Sequence, residues 1–391
     1  MSKSSSFNIG VEYAASATLA AAAKQLTRLA LMLTCLLAPT LAWAQNAYIA
    51  NTSAGTVSVI NTTTNTVVAT IPGVGTNPIG VAVSPNGSKV YVGDAFISNE
   101  GVSKVFVIDT ATNTVVASIP VGFGAAFVAI SPNGSKLYVS NHGTTTVAVV
   151  DTATNTVSAW IQLSSNPGGL AVTPNGSKVY VADRPGNTVK VIDTATNSVS
   201  SIALGGGPFF PAVSPNGAKV YVSSADGSDV WVIDTATNTV VAQIFVAPAP
   251  AGLEGVAVSP DNSKVYVSVT APAGGGDPDP VAVIDAATNT VSAFITVDLN
   301  PAGIAFTHDG SKAYVANQDS NNVSVINTAT NTVIATIPVG TFPLTFGMFI
   351  QPSPHPSNKD QCKNGGYKNY VDDNGQPFKN QGQCVSYVNH P

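Results

Sequence analysis

The chain has 391 residues, of which 44% are hydrophobic and only 9% charged, against about 25% charged in an ordinary soluble domain. Its 16 Lys plus Arg against 21 Asp plus Glu give a net charge of −5, which lacks the basic footprint that nucleic-acid backbones demand. With 34 Gly and 26 Pro among stretches rich in Thr, Asn and Val, the composition favours short strands and turns and excludes a helical bundle.

The first element in chain order is an export signal. A polar and Ala-rich lead ends at Lys24 and Arg28, an apolar run follows from Leu29 to Leu41, and Ala42-Trp43-Ala44 supplies the small residues of a cleavage site. Residues 1–44 are therefore expected to be removed, leaving 13 basic against 20 acidic residues. The apolar run is shorter than the roughly 20 residues of a membrane span and has no successor. The mature chain is expected to be exported, to the periplasm, the cell surface or the medium, and not to be an integral membrane protein.

From residue 45 the sequence repeats. One element is a Tyr followed by a β-branched residue, with its tyrosines at Tyr48, Tyr91, Tyr138, Tyr180, Tyr221, Tyr266 and Tyr314. The other, VIDTATNTV or a near copy, places Asn61, Asp109, Asp151, Asp193, Asp234, Asp285 and Asn327. Each unit holds four alternating apolar runs, such as IGVAV, KVYV, VFVID and TVVASI between Ile79 and Ile119. Alternation at period two marks strands, and the SPNG and TATN strings between them mark turns. Four antiparallel strands in a unit of about 45 residues make a propeller blade, and seven units make an all-β, seven-bladed ring. The first unit lacks an innermost strand, while FPLTFGMFIQP near the other end lines up with NPIGVAVSPNG. One blade is thus expected to draw on both termini, with residues 344–350 as its inner strand, so that the ring over residues 45–351 has no free seam.

These strings resemble the bacterial and archaeal YVTN-type β-propeller repeats. The motif reads YIAN, YVGD, YVSN, YVAD, YVSS, YVSV and YVAN here, so its third Thr is never present. The resemblance implies an extracytoplasmic protein with remote lactonase relatives and transfers no catalytic positions.

If strands A to D run from axis to rim, the A–B turn (SPNG) and the C–D turn (TATN) share one face and hardly vary. The B–C and D–A connections share the other face and vary between units, which marks that face for binding. Two B–C loops have grown. GDAFISNEGVS carries Asp94, Phe96 and Glu100, and VTAPAGGGDPDP carries Asp277 and Asp279. Two carboxylates fall short of the roughly six to eight oxygens that Ca²⁺ prefers, so a solvated turn is expected, Asp277 and Asp279 are only weak metal candidates, and no cofactor is predicted. The D–A segments supply the mouth of the channel: the place of Ile79 is taken by Ala126, Gly168, Phe209, Glu254, Ala302 and Leu344, and that of Gly80 by residues including Phe127 and Phe210. Phe127, Phe209 and Phe210 suit either stacking on a sugar or aromatic ligand or plugging the channel. Three residues after each Tyr stand Asn51, Asp94, Asn141, Asp183, Ser224, Val269 and Asn317, each expected to cap its own B–C turn. The repeated aspartates read as turn formers, since Asn replaces them at 61 and 327. Arg184 reads as the surface partner of Asp183, and His142 sits in a B–C loop without zinc-ligand spacing.

A Pro-rich linker, residues 352–358, leads to a module over 359–391 with Cys362 and Cys384. An isolated pair in an exported protein reads as a disulfide. Tyr367, Tyr370, Phe378 and Tyr387 interleave there with Lys363, Lys368 and Lys379, a pattern suited to a glycan- or wall-binding patch.

The resulting expectation is a monomeric, non-catalytic binding or structural module working through its variable face on a protein, glycan or envelope component. Its candidate ligand contacts are Phe127, Phe209, Phe210, Glu254, Asp94, His142 and Asp183. The first alternative is a lactonase-like or other hydrolytic propeller, with Glu254, His142, Asp94 and Asp183 as its scattered candidates. The second is a surface-layer or cell-envelope scaffold. No catalytic residue is assigned, and enzymatic activity is left open.

Overall fold

A computed structural model describes residues 45–95, 102–247, 252–270, 277–352, 362–363 and 379–389. The expected signal segment, most of the linker, Phe96, Glu100 and most of the tail's aromatic patch lie outside these residues. Seven antiparallel sheets follow one another along the chain, each a blade whose strands hydrogen-bond in sequence order. Blade two is typical: strand A is Pro78–Val83, B is Lys89–Asp94, C is Ser103–Asp109 and D is Thr114–Gly122. Successive A strands lie against one another at the axis, whereas the D strands leave Val68, Val116, Trp160, Val241 and Ile334 exposed at the rim.

The repeated residues hold the ring together through their polar ends. Each repeated Asp or Asn accepts backbone N–H groups from two and three residues on, as Asp109 Oδ1 does from Ala111 at 3.1 Å and Thr112 at 3.0 Å. Asn61 and Asn327 make the same two bonds, which explains why the charge is dispensable. The last Asn of each TATN turn is left-handed, with φ of +52° for Asn331 up to +58° for Asn197, a conformation Asn tolerates better than other side chains. At Asn65, Asn113, Asn238 and Asn331 its side chain accepts from the Tyr of the preceding blade, whereas Asn155 and Asn289 keep a buried Oδ1 without a partner. Tyr180 Oη donates to Asn238 Oδ1 at 2.8 Å, and Lys178 Nζ donates to Thr235 O at 2.6 Å. Tyr266 and Lys264 make the same bonds to Asn331 and Thr328 O. At these seams Tyr and Lys both clamp the neighbouring turn, and in all seven units the repeated tyrosine is buried.

Ring closure follows the same rule. Tyr314 Oη donates to Asn65 Oδ1 at 2.7 Å and Lys312 Nζ to Thr62 O at 2.7 Å, joining blade seven to blade one. Strands B to D of blade one are Asn46–Asn51, Thr56–Asn61 and Thr66–Ile71, and the inner place is filled from the other end of the chain. Tyr48 N donates to Phe349 O at 2.8 Å, and Gln351 N to Asn46 O at 2.9 Å. The ungapped alignment is corrected in detail. Pro343 stands opposite Asn51 and Ile350 opposite Ala47, where blade two spans Pro78 to Val83 between Asp94 and Val90. The closing segment thus carries two extra residues. It also pairs with the inner strand of blade two, with Val81 N donating to Phe346 O at 2.8 Å and Val83 N to Met348 O at 3.0 Å.

Near the C-terminus Cys362 and Cys384 form a disulfide, with Cα atoms 5.6 Å apart, and a helix, α1, covers Gln381–Asn389. Among the described residues no helix is long and apolar enough to cross a membrane.

Candidate active site at the channel mouth

The inner strands begin on the variable face, and five of them begin with a bulge. Register breaks between Pro78 and Val81, Ala125 and Phe127, Pro208 and Pro211, Leu253 and Val256, and Pro301 and Ile304. Residues inside a bulge leave the ladder, so Ile79, Ala126, Phe209, Glu254 and Ala302 are released at the axis instead of alternating between sheet faces. The small neighbours have a steric origin. A Cβ on Gly255 would stand 2.2 Å from Ala302 O, and one on Gly80 would stand 2.6 Å from Ala126 O.

Below this ring the axis is filled by aromatic side chains. Phe127, Phe209 and Phe210 all pack on Phe346, at centroid distances of 5.5, 5.5 and 5.4 Å. Phe127, Phe210 and Phe346 are buried, and only Phe209 keeps partial exposure. Phe127 and Phe210 are thus committed to closing the channel, and of the plug only Phe209 keeps access to solvent. Phe346 was not legible as a member, because the two-residue excess in the closing segment moves it into the axis.

Glu254 is the one ionisable residue in this ring. Its carboxyl is wedged so that Oε2 is shut off from solvent without a hydrogen-bond partner, although the residue retains partial exposure. Burial raises its pKa from 4.5 to about 7; Asp319 adds to the rise and Arg184 opposes it. The backbone is pinned by Ser223, whose Oγ donates to Glu254 O at 2.5 Å. Arg184 and Asp319 come from the B–C loops of blades four and seven, so three blades meet electrostatically at one carboxyl. The expected Arg184–Asp183 pair is not formed. Arg184 Nε donates to Asp226 Oδ2 at 3.0 Å and its Nη2 to Asp226 Oδ1, a half-exposed bidentate pair between neighbouring loops. Asp183 lies buried against Lys190 Nζ at 3.2 Å and also accepts from Thr188 Oγ1 and Gly186 N.

The other sequence candidates scatter. Asp94 turns to the D–A loop, accepting from Thr76 N at 3.1 Å and Asn77 N at 2.7 Å, and its pKa is raised chiefly by burial. Asn51, Asn141 and Asn317 donate their amide N–H groups across the B–C turns to Thr56, Thr146 and Asn322, while their Oδ1 atoms are buried without a partner, so they brace the strand ends and do not cap the turn by accepting backbone N–H groups as Asp183 does from Gly186 N. The exposed His142 has Nδ1 3.1 Å from Pro167 O. Asp279 is buried and accepts from Asn300 N at 2.9 Å, while Asp277 is exposed. Among the described residues no three His, Cys, Asp or Glu side chains are grouped to hold a metal ion. On the opposite face a crevice of about 230 Å³ lies between blades six and seven, beside Asp261, Lys264 and Asp309.

A family model described as "Lactonase, 7-bladed beta-propeller" matches residues 95–202, less than a third of the chain. No curated protein matches. Among solved structures, a proposed 6-phosphogluconolactonase from Bacteroides uniformis is 18% identical with TM-score 0.65, over 77% of this chain and 98% of that one. A protein of unknown function from Desulfotomaculum acetoxidans is also 18% identical, with TM-score 0.66, over 79% and 99%. Hydrazine synthase from Kuenenia stuttgartiensis is 22% identical with TM-score 0.61, over 68% of this chain and 88% of that one. At such identities these likenesses show the fold. A second proposed 6-phosphogluconolactonase, from Bacteroides fragilis, lies in the same range at 16% and TM-score 0.65. The expectation of a non-catalytic binding module is corrected on these findings: the matching family model and the two proposed lactonases favour the hydrolytic alternative.

Proposed function

We propose that the protein is a lactonase-like hydrolase whose reaction takes place at the channel mouth on the variable face. The observation that carries this reading is Glu254, a carboxyl with one sheltered, unpartnered oxygen and a pKa near 7, alone in an apolar ring. A base poised near the working pH is the most effective proton acceptor, and burial sets that value here. Glu254 as carboxylate takes a proton from a water molecule while the water oxygen bonds to the lactone carbonyl carbon. The tetrahedral oxyanion then collapses, the ring C–O bond breaks, and the leaving alkoxide recovers the proton from Glu254 to give a hydroxy acid. Export to the cell exterior, taken from residues 1–44, belongs to the same proposal, and fractionation of the producing cell tests it.

The test is a panel of γ- and δ-lactones with the purified protein. Turnover is expected to rise with pH through about 7 and to fall at least a hundredfold in Glu254→Gln, whose amide cannot accept the proton. Turnover retained in Glu254→Gln, or absent in the parent across the panel, refutes the assignment.

A further inference from the structure

We infer that this mouth selects lactones with an uncharged, apolar face and discriminates against phosphorylated sugar lactones. The inference rests on the hydrolytic reading above and adds its substrate class. The groups in the inner ring beside Glu254 are Ile79, Ala126, Phe209, Ala302 and Leu344, of which Ile79, Phe209 and Leu344 pack half-buried on the aromatic plug. Such a floor suits an alkyl chain or the apolar side of a ring, and its aliphatic and aromatic side chains carry no hydrogen-bonding group for a polyhydroxylated one.

The charges argue the same way. A phosphate carries about −1.5 to −2 at neutral pH and is held by Arg forks, ammonium groups or backbone N–H clusters. Here Glu254 and Asp319 contribute negative potential. The guanidinium that bears on Glu254, Arg184, already spends both arms of its fork on Asp226. Lys190 is buried against Asp183 and Ser201, and the charge of Lys104 bears on Asp94. The loop segments outside the described residues, 96–101, 248–251 and 271–276, contain no Lys or Arg. Among the described residues a phosphorylated lactone therefore meets repulsion with no unengaged guanidinium to offset it, and like charges brought together in this way reject a ligand. Asp226 becomes a specificity-determining residue, because it keeps Arg184 from serving as an anion site.

The experiment compares kcat/KM for δ-decalactone and for 6-phosphoglucono-δ-lactone in the parent protein and two surface variants. The parent is expected to favour δ-decalactone by about tenfold or more. Asp226→Asn releases the fork and narrows that ratio several-fold, chiefly by lowering KM for the phosphorylated lactone. Arg184→Gln leaves Asp226 unpaired and widens it. Opposite movements of a ratio cannot come from a general loss of folded protein. Preference of the parent for the phosphorylated lactone, or equal ratios in all three proteins, overturns this inference while leaving the hydrolytic reading in place. Hydrolysis of neither compound overturns both.

Discussion

Replacing Glu254 by Gln tests whether burial controls its ionisation, and does so without a substrate. The carboxyl moves from 4.5 to about 7 in the fold, a difference of about 3 kcal/mol between its protonation states at 1.36 kcal/mol per pH unit. Because part of the residue meets solvent, screening reduces the observable effect to about 1–2 kcal/mol. The sign follows from proton binding. Below pH 4.5 the group is protonated in both folded and unfolded chains and contributes nothing. Between 4.5 and about 7 the folded chain holds the proton that the unfolded chain has lost, so stability falls as pH rises, and above 7 the cost is constant. Glu254→Gln removes that cost. Thermal unfolding at a series of pH values should give Tm values for the two proteins that differ by a fixed offset at pH 4, and by a few degrees more in favour of the variant at pH 8. Parallel curves across the whole range would refute the argument, because they would mean that Glu254 ionises in the fold as easily as in water. The same experiment separates chemistry from packing: a residue that destabilises the ring above pH 7 yet is required for turnover there is serving function at the expense of stability.

Other consequences are open to direct measurement. Lys190→Met leaves the buried Asp183 carboxylate without its cation and should cost about 3 kcal/mol in urea unfolding, most of which the double variant with Asp183→Asn recovers. The pKa of Asp183 is lowered, with hydrogen bonds and Lys190 outweighing its burial. This pair should therefore stabilise the fold above the usual carboxylate range and lose that contribution as the solution is acidified. Tyr314→Phe removes the hydroxyl that bonds Asn65 and Thr62 across the closure and should cost about 1 kcal/mol, seen as a lower denaturant midpoint at unchanged slope. Ending the chain at Pro352 should leave the propeller's unfolding transition in place. Ending it at Val339 strips the inner strand from blade one, exposes edges on blades one and two, and should give aggregation detectable by light scattering. Gly303→Ala places a Cβ 1.5 Å from Thr345 O and should destabilise the same seam.

The propeller was legible because its grammar is local. Every unit repeats the alternating runs, the Asx turn at Asp109 or its equivalents, and the left-handed Asn. The same residues therefore specify the same hairpins wherever they recur. The closing segment was legible in kind and misread in register, since Phe346 reaches the axis through two extra residues that no internal copy displays. The expected Arg184–Asp183 pair fails for a physical reason: along a strand end, consecutive residues point apart, so Arg184 and Asp183 find Asp226 and Lys190 on different elements. The expected capping by Asn51, Asn141 and Asn317 is corrected: their Nδ2 groups bridge to the facing strand while each Oδ1 is buried without a partner, because the tight turn presents a side-chain acceptor and no backbone N–H to them.

Glu254 shows the division most plainly. The sequence by itself determined that one carboxyl stands at a repeated position otherwise given to Ile, Ala, Gly, Phe and Leu, because repetition makes an exception visible. It determined the scarcity of charge too, since Thr, Ser and Asn do the turn-forming work in neutral form. Only the tertiary structure decided that this carboxyl is enclosed, that Asp319 and Arg184 from two other blades bear on it, and that an aromatic plug lies beneath it. The ring brings together residues 65 and 70 positions apart in the chain, and the field at one oxygen is the sum over all of them. A linear pattern holds each contributor and not the distances between them.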